Sequence, residues 1–176
     1  MRGRAVAYNA RMSEARKPAR IVHAPEVEAQ TRTFTHPWNP RSGMRAAWLG
    51  GSAGLTRTGI NLLRLPPGNE SFTYHAHLHE EEWIYVVSGR AVLDDGDAHH
   101  ELGAGDFVAF PTPSQPHQLR NPFDADVVYL SGGERAHIDV ADFPRLGKRV
   151  VRIDGRAVVY ELDSGTPFPF AGFELL

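Results

Sequence analysis

From Leu55 onward, apolar positions alternate with polar ones in short runs, each closed by Gly, Pro, Asp or Asn. A period of two belongs to half-buried strands, whose successive side chains point to opposite faces. The pattern predicts strands over residues 55–65, 82–87, 91–93, 98–102, 107–110, 117–120 and 127–130. Turns such as Pro66-Pro67-Gly68, Asp94-Asp95-Gly96-Asp97 and Asn121-Pro122-Phe123-Asp124 separate them. Asp-Gly and Asn-Pro turns between alternating runs imply an all-β, antiparallel sandwich or barrel, and no helical period interrupts it.

The flanks are less regular. Thr33-Phe34-Thr35-His36-Pro37-Trp38-Asn39-Pro40 places two prolines around a tryptophan. A residue before proline is driven to extended backbone, so an arm without helix is expected here, its aromatics packed down and His36 structural. Residues 44–49 are short and apolar, and Gly50-Gly51-Ser52-Ala53-Gly54 reads as a flexible turn. Residues 149–153 and 157–162 read as two further strands, and Phe168, Phe170 and Phe173 need a surface to cover, a sheet edge or a partner subunit. The expected organisation is a flexible basic arm (1–24), an extended arm packed on the barrel (25–54), the barrel (55–135), and a C-terminal extension with strands and an aromatic tail (136–176).

Composition narrows this picture. A chain of 176 residues, 41% hydrophobic with 17 Gly and 13 Pro, suits one turn-rich globular domain. Its net charge of −2 exerts no general pull on nucleic acid or membrane. Residues 1–20 carry Arg2, Arg4, Arg11, Arg16, Lys17 and Arg20 against Glu14, a pattern read as a solvated tail, with Met12 an alternative start. No apolar run follows these charges and none reaches membrane-spanning length, so a cytoplasmic protein is expected. With no cysteine, thiolate nucleophiles and thiolate metal sites are excluded.

Residues 66–89, PPGNESFTYHAHLHEEEWIYVVSG, hold the densest chemistry. In a strand His75, His77 and His79 would share one face, and Glu80, Glu81 and Glu82 follow at once. Imidazole and carboxylate converging from neighbouring strands suit a divalent transition metal, which prefers N and O donors at fixed angles. Glu82, Ile84 and Val86 share one strand face; Trp83, Tyr85 and Val87 share the other.

A second cluster runs from Gly105 through Pro111 to His117 and Asn121. Together the two stretches resemble the paired motifs of the cupin superfamily. The first maps onto Gly68, His75, His77, Glu82 and Gly89, the second onto Gly105, Pro111, His117 and Asn121. Two loops depart from the pattern: six residues separate Gly68 from His75, and Pro113 stands where glycine is common. HPWNP and DFPRLGKRVVR look like a branch of small bacterial single-domain cupins of unassigned activity.

The resemblance implies a double-stranded β-helix, the jelly-roll barrel, with His75, His77, Glu82 and His117 holding one divalent ion (Zn, Fe, Mn or Ni). His79 then falls to the rim, with Tyr85, Gln118, Ile84 and Val86 as further pocket residues and Tyr74 a weaker orienting candidate. Glu80 and Glu81 read as solvated, and His99 and His100 as surface residues. Such a site serves an isomerase or a dioxygenase acting on a small polar metabolite; the other class is a non-catalytic ligand-binding or storage cupin. Arg64, Arg90 or Arg120 would answer a substrate phosphate. A homodimer is expected from the aromatic termini.

Overall fold

A computed structural model describes residues 17–166. Its strands are β1 (Arg32–His36), β2 (Asn39–Ala47), β3 (Thr58–Leu65), β4 (Ala76–His77), β5 (Glu82–Ser88), β6 (Arg90–Asp95) and β7 (Ala98–Gly103). They continue as β8 (Phe107–Phe110), β9 (His117–Arg120), β10 (Val127–Glu134), β11 (Ile138–Phe143), β12 (Lys148–Ile153) and β13 (Arg156–Glu161). The strands build three antiparallel sheets, ordered β1-β2-β3-β10-β5-β8, β7-β6-β9 and β13-β12-β11-β4. The all-β jelly-roll expectation therefore holds.

Side-chain alternation decides what lies between the sheets. Met44, Leu63, Leu65, Val86, Val127 and Tyr129 from the largest sheet meet Leu93 and Leu119 from the three-stranded one. On β5 the split follows parity: Ile84 and Val86 are buried, whereas Tyr85 and Val87 are exposed. Gly89, at φ 82°, lets β5 turn tightly into β6, because a Cβ there would collide with the Asp126 carbonyl.

The N-terminal flank departs from the expected arm. A helix, α1 (Ala24–Gln30), starts with Pro25 in its first turn and the Glu26 carboxylate accepting the His23 N–H at 3.0 Å, both helix-start signals. Beyond it, β1 and β2 form a hairpin across Pro37-Trp38, and β2 pairs with β3, Ala46 facing Leu63. The segment thus contributes Met44 and Ala46 to the core. The glycine-rich stretch is likewise partly helical, as α2 (Leu49–Ser52). No helix of the described residues is long and apolar enough to cross a membrane. Most of the basic arm (residues 1–16), and the aromatic tail with Phe168, Phe170 and Phe173, lie outside the described residues.

Candidate metal centre

The two motifs meet through main-chain pairing. His75 and His117 exchange backbone hydrogen bonds, His75 N–H to the His117 carbonyl at 3.2 Å and the reverse at 2.8 Å. The next ladder pairs His77 with Ala141 on β11. From the opposite sheet β5 presents Glu82, whose room is kept by Gly133: a Cβ there would lie 3.0 Å from Glu82 Cγ. His75, His77 and Glu82 bring ligand atoms within 4.8 Å of one another. Glu82 Oε2 stands 3.7 Å from His75 Nε2, 3.4 Å from His77 Nε2 and 3.5 Å from His117 Nε2.

The far edge of each imidazole sets its tautomer. His75 Nδ1 faces the Thr73 carbonyl at 2.7 Å, His117 Nδ1 the Gln115 carbonyl at 3.0 Å, and His77 Nδ1 the Asp139 carboxylate at 2.7 Å. Carbonyl and carboxylate oxygens only accept, so each Nδ1 carries the hydrogen and each Nε2 turns a lone pair toward Glu82. Three lone pairs and a carboxylate facing one small volume repel each other unless a cation lies among them. This donor set, with its outer hydrogen bonds in place, fits a divalent transition metal.

Electrostatics sharpen the pattern. Burial pushes the His75 imidazole below its ordinary value, favouring the neutral, ligating form. For Glu82 burial works to raise the pKa, but the surrounding His117, His75 and His77 rings outweigh it and hold the carboxyl well below the usual carboxylate range. Burial opposes charge on His77 too, and is outweighed by Asp139, Glu82 and Glu80, which raise it.

The centre lies in a cavity of about 270 Å³ walled chiefly by aromatic and aliphatic side chains. Phe110 stacks on His117 with centroids 3.7 Å apart, and Phe143 on His75 at 5.6 Å. Ile84 and Gln118 line the cavity as expected. Gln118 Nε2 donates to the Phe72 carbonyl at 2.8 Å and to Glu70 at 3.2 Å.

Other expectations are corrected. Tyr85, 41% exposed, is on the outer face, and Val86 is sealed in the core. His79, expected at the rim, is exposed and absent from the cavity wall: β4 ends at His77, the chain bends at Leu78, and the His79 main-chain N–H points to Asp139 at 3.4 Å. Glu80 is not solvated: it is buried, accepting the Ala136 N–H at 2.6 Å and the Arg152 guanidinium. Tyr74 donates its hydroxyl to the Gly96 carbonyl at 3.0 Å. Arg64, Arg90 and Arg120 pair with Asp126, Glu101 and Asp94, away from the cavity wall. Conversely His36, read from sequence as structural, and Asp139, Phe143 and Tyr129 belong to the site or its wall although neither of the paired cupin motifs contains them.

Comparison with known proteins agrees with this architecture. A family model described as Cupin domain matches residues 61–133. A crystal structure from Acidithiobacillus ferrooxidans, of a protein provisionally named a sugar phosphate isomerase, is 31% identical, covers 85% of this chain and 96% of its own, and superposes with a TM-score of 0.79. A second, a sugar phosphate isomerase from a cupin superfamily of Silicibacter pomeroyi, is 28% identical over 80% of this chain and 90% of its own, with a TM-score of 0.69. A Thermotoga maritima protein provisionally named an oxalate decarboxylase shares the fold at 19% identity, covering 66% of this chain and all (100%) of its own, with a TM-score of 0.57. No curated protein matches the chain. Motifs, barrel and a relative aligned well beyond the barrel agree, and the chain belongs to the cupin superfamily.

Proposed function

We propose that this cupin is a metal-dependent enzyme that isomerises a small polyhydroxylated carbonyl compound, a sugar or sugar phosphate. The observation that carries the reading is Glu82 Oε2 facing the Nε2 atoms of three Nδ1-protonated imidazoles, His75, His77 and His117, with the ligand atoms of His75, His77 and Glu82 within 4.8 Å of one another. His75, His77, Glu82 and His117 would hold the ion, which supplies Lewis-acid polarisation of a substrate oxygen when bound. The protein's part is to bind and orient the carbonyl end within a chiefly aromatic and aliphatic wall. The isomerase choice is supported by the names of the two relatives at 31% and 28% identity.

A phosphate would fall outside the aromatic cavity, whose wall holds no Arg or Lys among the described residues. The neighbouring cleft of about 390 Å³ includes Arg135 and Arg152, but Arg152 is paired with Glu80, and Glu82 and Glu134 also line it, so it offers a phosphate no net positive wall. The reading includes a homodimer, for which the exposed edge strand β13, with Val158, Val159 and Tyr160 partly uncovered, is the supporting feature; sedimentation as a monomer contradicts it.

The test is incubation of Zn-, Fe-, Mn- and Ni-loaded protein with aldoses, ketoses and their phosphates in deuterated water. Isomer formation with deuterium entering at the carbon beside the carbonyl is expected for one class. No exchange and no isomer with any metal contradicts the proposal and moves weight to a ligand-binding cupin; dioxygen consumption with iron would instead place it among dioxygenases.

A further inference from the structure

His36 comes from β1, outside the segment matched by the family model, yet it lines the same cavity as His75, His77, Glu82 and His117. Its Nδ1 is already engaged. The Trp38 main-chain N–H reaches it at 3.2 Å, and the Thr73 hydroxyl lies 2.9 Å from the same atom. A main-chain N–H can only donate, so Nδ1 accepts, and a neutral ring must carry its one hydrogen on Nε2.

That Nε2–H meets no acceptor among the described residues. Nor is it sealed: the buried side-chain polar atoms left without a partner are Asn61 Oδ1 and the Tyr129 hydroxyl. The ring is held by aromatic neighbours on several sides, with centroids 5.7 Å from Trp38, 6.0 Å from Phe143 and 6.4 Å from Phe72. Burial, with the nearby His75, lowers its pKa below the ordinary histidine value, so the neutral form prevails at pH 7.

We infer that His36 is a ligand-facing donor: its neutral Nε2–H hydrogen-bonds a carbonyl or enediolate oxygen of the molecule held at the His75–His77–Glu82–His117 centre. The inference rests on the metal-centre reading above and adds a group that the motifs do not contain. A fixed donor lining the cavity in which negative charge develops costs no reorganisation when the charge appears. The rival explanation is a structural brace, in which His36 does no more than tie the β1–β2 turn to Thr73.

Acetohydroxamate, a small chelating mimic of an enediolate, separates the two when titrated calorimetrically into zinc-loaded protein. His36→Phe keeps an aromatic ring but removes the donor; His36→Gln restores an N–H near the Nε2 position. We expect the Phe variant to retain zinc and to bind the probe about tenfold more weakly, a difference of about 1.4 kcal/mol. The Gln variant should recover most of that loss. The wild-type to Phe affinity ratio should stay constant from about pH 7 to 8.5, because a neutral donor does not titrate there. Unchanged probe affinity in a zinc-retaining Phe variant overturns the inference, as does loss in both variants alike. A ratio that collapses with rising pH overturns it by revealing a cationic ring. Wild-type protein that takes up no zinc, or binds zinc but not the probe, overturns the metal-centre reading and this inference with it.

Discussion

His77 gives its Nδ1 hydrogen to Asp139 at 2.7 Å, and the acceptor is a carboxylate only 3% exposed on β11. The pair fixes the ring whose other nitrogen faces Glu82 at 3.4 Å. Asp139→Asn keeps the side chain's size and removes its charge. Loss of such an outer partner typically costs about 10- to 100-fold in metal affinity. Chelator competition should show a decrease of that order with the unfolding midpoint little changed; wild-type affinity would show that Asp139 does not orient the ligand.

Gly133 has a steric role beside Glu82. A Cβ on it would lie 2.8 Å from the Glu81 carbonyl and 3.0 Å from Glu82 Cγ. Gly133→Ala must therefore displace the β5 backbone or the Glu82 side chain. Bound metal should fall while far-ultraviolet dichroism still reports a β protein, and full metal occupancy would show that Glu82 has room to spare.

Phe143 and Tyr85 make a matched contrast. Phe143, 7% exposed, stacks on His75 and meets the Trp38 ring edge-on at 5.1 Å. Phe143→Ala should cost about 3–5 kcal/mol through lost burial and an unfilled cavity. Tyr85→Ala, on the outer face, should cost less than about 1 kcal/mol and leave the metal bound. Denaturant titration of both variants checks the assignment, and a larger loss for Tyr85 would contradict it.

Asp94 provides a pH test away from the metal centre. Its buried carboxylate receives both Arg120 nitrogens at 2.8 Å and faces His99 Nδ1 at 2.8 Å. Burial alone would raise its pKa, but Arg120 and His99 lower it below the ordinary value. Because the folded carboxyl is the stronger acid, its stabilising effect is complete above the unfolded value of about 4 and is lost as pH falls through the folded value. Asp94→Asn should thus be less stable than wild type at pH 7 by about 2 kcal/mol. Urea unfolding should show that gap shrinking in acid, and a gap equal at pH 7 and in strong acid would contradict the pairing.

Much of the barrel was legible because alternation and turn residues act locally. β8 and β9 fall on the runs 107–110 and 117–120, and parity on β5 separates buried Ile84 from exposed Tyr85. The histidine face ends where its strand does, and β4 stops at His77, so His79, expected only at the rim, does not join it. Asp139 was not legible: it meets His77 across 62 residues of sequence through a two-residue ladder with no local signature. His36, read from sequence as structural, was not legible as a cavity residue for a related reason, because β1 reaches the cavity only after β2 joins β3.

His75, His77, Glu82 and His117 are the residues proposed to hold the metal ion. Elemental analysis of protein purified without chelator, wild type beside a His77→Ala/Glu82→Ala variant, tests that assignment most directly. About one equivalent of a divalent transition metal in the wild type and little in the variant is the predicted result; equal metal content in the two proteins would contradict it.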